Sequence, residues 1–214
     1  MGRSLEDARR WVREGTNLAG RTLAGLDDFT ADTALPGWSR AHLVAHLAAN
    51  AEAVGNLVHW AATGERTPMY SSPDQRAADI ETASRRSRAD LVDWFGSSAA
   101  ALDRAMDDLT DDQWRARVVT AQGRDVPASE TPWMRAREVM VHAVDLDAGV
   151  TFDDLPTDFL DALVADVLVK RGVEADVVGP LAGRAAYLTG RADGATAGVT
   201  APDGSAAPDL PPWL

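Results

Sequence analysis

The chain of 214 residues contains no cysteine. That excludes disulfides, cysteine-ligated zinc knuckles and a protein thiol nucleophile, so any thiol chemistry must draw its sulfur from a small molecule. Lysine is almost absent: Lys170 is the single one, and every other fixed cation is arginine. Positive charge is scarce overall, with a formal net charge of −12. This argues against sequence-blind nucleic-acid binding, which depends on basic patches that neutralise phosphates. An anionic ligand would have to meet a local cluster of arginines. No apolar run approaches the roughly 18 residues of a membrane span, and "MGRSLEDARR" leads into an amphipathic helix without the apolar stretch of a signal peptide. The expectation is a cytoplasmic protein without nucleic-acid or membrane partners.

What the chain does have is helix. Hydrophobic residues make up 45% of it, enough for one substantial core or two small ones. Ser4 caps a first helix, with Asp7 closing a variant capping box, and Pro36-Gly37 marks the following turn. Ser39 caps a second helix that Gly64 stops. Ser72 and Pro73 open a third helical region, 74–106, with a break expected near Gly96. "WRARVVTAQGRDVPASE" then reads as a short hairpin or an extended crossover. Thr131 as cap and Pro132 at the first helical position begin a fourth long helix that Gly149 ends. Four amphipathic helices with one long connection predict a four-helix bundle over residues 1–150, a fold that builds its cofactor sites from inward-facing side chains. The pattern restarts as a small α/β domain over 151–214. It has a helix over 157–171, a short helix in "GPLAGRAAYLTGRADG", a strand and turn in "ATAGVTAPDG", and a docked Trp213-Leu214 tail.

Polar residues interrupt two inner faces. On the second helix Leu43, His46, Leu47, Asn50, Val54 and Leu57 share a face; on the fourth, Met134, Glu138, Val141, His142 and Asp145 do. A carboxylate inside a bundle is expensive unless compensated, and a divalent metal would compensate it. Glu138 and His142, one turn apart, can offer two ligands from one helix, with His46 as a third. The spacing is not that of the HExxH metalloprotease helix. Spacing alone leaves alternatives open: a solvated i, i+4 pair, or ligation by His42 with His46. His59, near the end of its helix, reads as a surface histidine.

The stretch "GWSRAHLVAHLAANAEAVGNLVHWAATGERTPMYSSPDQRAADIE" resembles the N-terminal signature of the mycothiol-dependent maleylpyruvate isomerases, and "TPWMRAREVMVHAVDLDAGV" resembles that family's second metal segment. The similarity continues through "AAYLTGRADG" to "LPPWL". It implies a mainly α protein: a DinB-like metal-binding bundle followed by a sterol-carrier-like α/β domain. It also implies zinc on His46, Glu138 and His142, with His42 and His59 outside the ligand set. The family's reaction is the cis–trans isomerisation of maleylpyruvate to fumarylpyruvate with the thiol cofactor mycothiol, which suits a chain without cysteine. In the mechanism expected from this, thiolate adds to the conjugated double bond, the resulting single bond rotates, and the thiolate leaves.

The substrate that the resemblance implies is a dicarboxylate. Arg76 matches an arginine that the family places at its active site, and Arg191 is the second candidate, through a looser match. Asn50 and Tyr70 are candidates for contact with substrate or thiol, and Asp145 for a partner of His142. Two other functions compete with the isomerase: a mycothiol S-transferase acting on other electrophiles, and a non-catalytic metal-stabilised binding module.

Overall fold

The computed structural model describes residues 3–171 and 177–210. Ser4–Ala148 form one compact unit; Gly149–Leu214, with Met1–Arg3, form a second.

The first unit is a helical bundle. Helix α1 spans Leu5–Ala24 behind the expected Ser4–Asp7 capping box. Helix α2 spans Arg40–Thr63 and ends at Gly64, whose φ of 78° is the left-handed conformation a helix stop of this kind uses. Helices α3 (Pro73–Ala83) and α4 (Arg88–Asp107) divide the third region. The break lies at residues 84–87, not at Gly96. Ser87 starts a new helix by accepting from the Asp90 amide, whereas Gly96 sits inside α4 with its backbone ladder intact. A short α5 (Asp111–Arg115), not foreseen from the sequence, precedes strands β1 (Arg117–Val119) and β2 (Asp125–Pro127). These pair antiparallel with Val118 opposite Val126, so the segment is a hairpin and not a crossover.

Helix α6 spans Thr131–Asp145. Thr131 is its first residue and not its cap: a 3₁₀ turn over Ala128–Glu130 runs straight into the helix, and the Thr131 hydroxyl donates back to the Ala128 carbonyl. Helix α1 packs on α6, and α2 packs on both α4 and α6. Gly15 permits the α1–α6 approach, because a Cβ there would stand 2.6 Å from Val139 Cγ2. Trp11 and Trp133 meet edge to face across the same seam, 5.7 Å apart. The end of α6 is held to the start of α2 by Arg40, which donates to the carbonyls of Leu146 (3.0 Å) and Asp147 (2.7 Å). The Leu146 carbonyl, at the C-cap of α6, is one that a helix terminus leaves unsatisfied. The two helices bearing the candidate ligands are therefore fixed against each other.

In the second unit, helices α7 (Thr157–Arg171) and α8 (Leu181–Leu188) pack together, and Arg171 Nε donates to the Leu188 carbonyl. The expected strand in "ATAGVTAPDG" reduces, among the described residues, to isolated bridges of Thr200 with Val178 and with Ala206. The turns at Gly198 and Gly204, both at positive φ, leave too little extended chain between them for a longer strand. The Trp213-Leu214 tail lies outside the described residues. No helix among the described residues is long and apolar enough to cross a membrane.

Candidate metal centre

His46 comes from the middle of α2, and Glu138 and His142 come from successive turns of α6. Glu138 Oε2 stands 2.8 Å from His46 Nε2 and 3.3 Å from His142 Nε2. All three potential ligand atoms lie within 4.8 Å of one another. Tetrahedral zinc with bonds of about 2.05 Å sets its donors about 3.3 Å apart, so these separations suit a metal. The donor types suit one as well: two imidazoles and a carboxylate are three N/O ligands of the kind that leave a fourth position open. Glu138 keeps 31% of its side-chain exposure against 5% for His46; the carboxylate therefore marks the open side of the cluster.

Both histidines have outer neighbours. His142 Nδ1 is 2.7 Å from Asp145 Oδ2, and Asp145 is wholly buried. A carboxylate behind an imidazole fixes its tautomer and turns Nε2 toward the metal position. His46 Nδ1 lies 3.1 Å from Arg76 Nη2, and the His46 ring meets Trp38 edge to face at 5.4 Å. His42 is engaged elsewhere, between Ser39 and Glu81, and His59 is exposed near Glu65. The alternative His42–His46 ligand pair is therefore not assembled.

The electrostatics of the cluster follow from burial set against pairing. Burial disfavours charge on Glu138, but hydrogen bonds from His142 and His46 outweigh it and hold the carboxyl well below its usual range. Burial likewise opposes charge on His142, yet Asp145 and Glu138 together push its pKa up to about 9. For His46 burial prevails over the pull of Glu138, so its pKa is lowered. At neutral pH one histidine is charged and the other neutral.

Around this core stand Asn50, Tyr70 and Arg76. The Arg76 guanidinium lies over the Tyr70 ring, 5.5 Å from its centroid. Burial raises the Tyr70 pKa, while hydrogen bonds from Arg76 and Asn50 moderate the rise. Arg191 belongs to the second unit, where its Nη1 donates to the Thr189 carbonyl.

The sequence reading missed Arg135. It is wholly buried on α6 and donates to the Leu47 carbonyl and to Asn50 Oδ1 on α2. Burial brings its pKa down to about 10, which leaves it a cation at neutral pH. Its signal was available: Arg135 precedes Glu138 by three residues and so shares its helical face. Trp38, just ahead of the second helix, carried no such signal.

Residues 8–147 match the mycothiol maleylpyruvate isomerase N-terminal domain. The chain belongs to the mycothiol maleylpyruvate isomerase family. Among solved structures it is similar to the crystal structure of the mycothiol-dependent maleylpyruvate isomerase and to that of a mutant of the same enzyme. Each is 39% identical, with a TM-score of 0.89, over 99% of this chain and 98% of the other. No curated protein matches the chain. Membership of the maleylpyruvate isomerase family agrees with the mainly α, DinB-like bundle and with the potential metal-binding group inside it.

Proposed function

We propose that the protein is an isomerase that converts maleylpyruvate to fumarylpyruvate, with zinc on His46, Glu138 and His142 and mycothiol as thiol cofactor. The observation that carries this reading is an incomplete three-ligand donor set surrounded by cations in an acidic chain. Arg76 and the buried Arg135 place two positive charges beside the ligand group, and a bound divalent metal would add two more, against the two carboxylates of Glu138 and Asp145, while the whole chain carries −12. Such a local excess favours a dianion.

Rotation about a carbon–carbon double bond is blocked until a nucleophile adds to it. With no cysteine in the chain, the nucleophile has to come from a cosubstrate, and the solved relative is mycothiol-dependent. When bound, zinc would lower the pKa of an adjacent thiol from about 8.5, so that thiolate exists near neutral pH. The chain's own residues do the rest. Asp145 holds the His142 ring, Arg76 pairs with a substrate carboxylate, and Asn50 and Tyr70 line the ligand side. Tyr70, with its raised pKa, stays a neutral donor that can stabilise charge developing on the substrate carbonyl oxygen. Arg191 is proposed as a second carboxylate partner, residues 1–150 as the metal-binding domain and residues 151–214 as a small α/β domain.

The test is conversion of maleylpyruvate by zinc-loaded protein with mycothiol, with glutathione and without thiol. Turnover with mycothiol alone is expected. Absence of turnover with every thiol, from protein shown to hold its metal, refutes the assignment; mycothiol conjugation of other electrophiles would then favour a transferase.

A further inference from the structure

Arg135 is buried, yet its guanidinium is only half used. Nη1 donates to the Leu47 carbonyl at 2.7 Å and to Asn50 Oδ1 at 2.9 Å. Nε and Nη2 have no hydrogen-bond partner among the described residues. A buried cation with unfilled donors is expensive. Holding one carbonyl and one amide oxygen would not by itself require a permanent charge.

What the guanidinium adds is one-sidedness. A carboxamide can turn either its oxygen or its NH2 toward a neighbour, but a guanidinium can only donate. Opposite Arg135, therefore, Asn50 must present Oδ1, and its NH2 must face the other way. Tyr70 lies near both Asn50 and Arg76, which oppose the rise that burial causes in its pKa, and the Arg76 guanidinium stands 5.5 Å from the Tyr70 ring centroid. Asn50 follows His46 by one turn of α2. Asn50 retains 5% exposure and Arg135 none, so a ligand in the site can meet the first and not the second.

We propose that Arg135 is a positioning residue: it locks the Asn50 carboxamide with its NH2 toward the ligand side, making Asn50 an obligate hydrogen-bond donor to a carboxylate of the substrate. The inference rests on the reading of the site as one for a dicarboxylate. A carboxylate can only accept, so an Asn50 free to flip would set acceptor against acceptor in part of the population. Arg135 removes that population before the ligand arrives.

The test uses 15N-labelled, zinc-loaded protein and succinate, a saturated dicarboxylate to which no thiol adds. The Asn50 side-chain NH2 resonances are followed as succinate is added, with its dissociation constant read independently by calorimetry. In the wild type the NH2 pair is expected to shift with a midpoint at that constant. Arg135→Lys, still a pure donor, is expected to keep the shift and an affinity within about threefold of wild type. Arg135→Gln, which can accept as well as donate, is expected to double or broaden the pair as Asn50 samples both orientations. Asn50→Ser is expected to weaken succinate at least tenfold. An NH2 pair that stays fixed while succinate saturates the protein overturns the donor role, and this wild-type measurement needs no variant to fold. A single unchanged pair in folded Arg135→Gln overturns the positioning role. Failure of succinate to bind the wild type at all instead refutes the dicarboxylate reading beneath the inference.

Discussion

Replacing Gly15 by alanine tests the seam that places the metal-bearing helix. A Cβ at that position would lie 2.6 Å from Val139 Cγ2, 3.0 Å from Met140 Cγ and 3.2 Å from Met140 Sδ. Val139 follows Glu138 directly, so relief of the clash moves the part of α6 that carries the ligands. In a helix interior alanine is favoured over glycine by about 1 kcal/mol, while overpacking a tight contact costs about 1–3 kcal/mol. The net expectation is a loss of up to about 2 kcal/mol, or a fall in Tm of several degrees at ~2–4 °C per kcal/mol. Gly96, exposed within α4 and with nothing within 4 Å of its added Cβ, provides the control. There only the propensity term acts, and Gly96→Ala should gain about 0.5–1 kcal/mol. Calorimetric melting of both variants, together with zinc titration, reads the result. Gly15→Ala should melt below wild type and bind zinc more weakly, and Gly96→Ala should melt above with zinc affinity unchanged. A Gly15→Ala variant as stable as Gly96→Ala would refute the close approach of α1 to α6.

Asp145→Asn removes the charge behind His142 and should weaken zinc about 10–100-fold, read by competition with a chromophoric chelator. Because the His142 pKa is about 9 in the metal-free protein, metal binding near pH 7 should release close to one proton. An unperturbed histidine would release only about a quarter of one. Calorimetry in buffers of different ionisation enthalpy distinguishes the two, and the apparent affinity should climb up to about tenfold per pH unit toward pH 9. The sign for folding is opposite: a raised histidine pKa stabilises the metal-free protein fully below its ordinary value of about 6.5. That contribution fades as pH rises through about 9, which pH-dependent denaturant titration would detect. Arg76→Ala should raise KM for maleylpyruvate at least tenfold with little change in Tm. Arg191→Ala should raise KM by a smaller factor, and an unchanged KM would remove Arg191 from the site.

The parts of this molecule legible in its sequence were those governed by local chemistry. Ser4 with Asp7, Gly64 and Pro132 each act within a turn of their own position, and the helices they bound lie where their signals stand. Gly96 misled because glycine tolerates a helix interior when nothing competes for it, whereas the serine cap at Ser87 offered a competing start. Thr131 misled because a 3₁₀ turn had already begun the helix before it. At the site, periodicity put His46, Glu138 and His142 on inner faces, and the fold brings their ligand atoms together. Arg135 escaped because arginine is usually a surface residue. Its burial depends on Asn50 and the Leu47 carbonyl, both far away along the chain.

The central claim is that His46, Glu138 and His142 together hold a catalytic metal. The most direct measurement is zinc stoichiometry, with X-ray absorption at the zinc edge, for wild type and for His46→Ala, Glu138→Ala and His142→Ala. The account predicts one equivalent in the wild type, bound by two imidazole nitrogens and a carboxylate oxygen at about 2.0–2.2 Å, and a large loss of affinity in each variant. One equivalent retained at wild-type affinity in any folded variant of the three would contradict it.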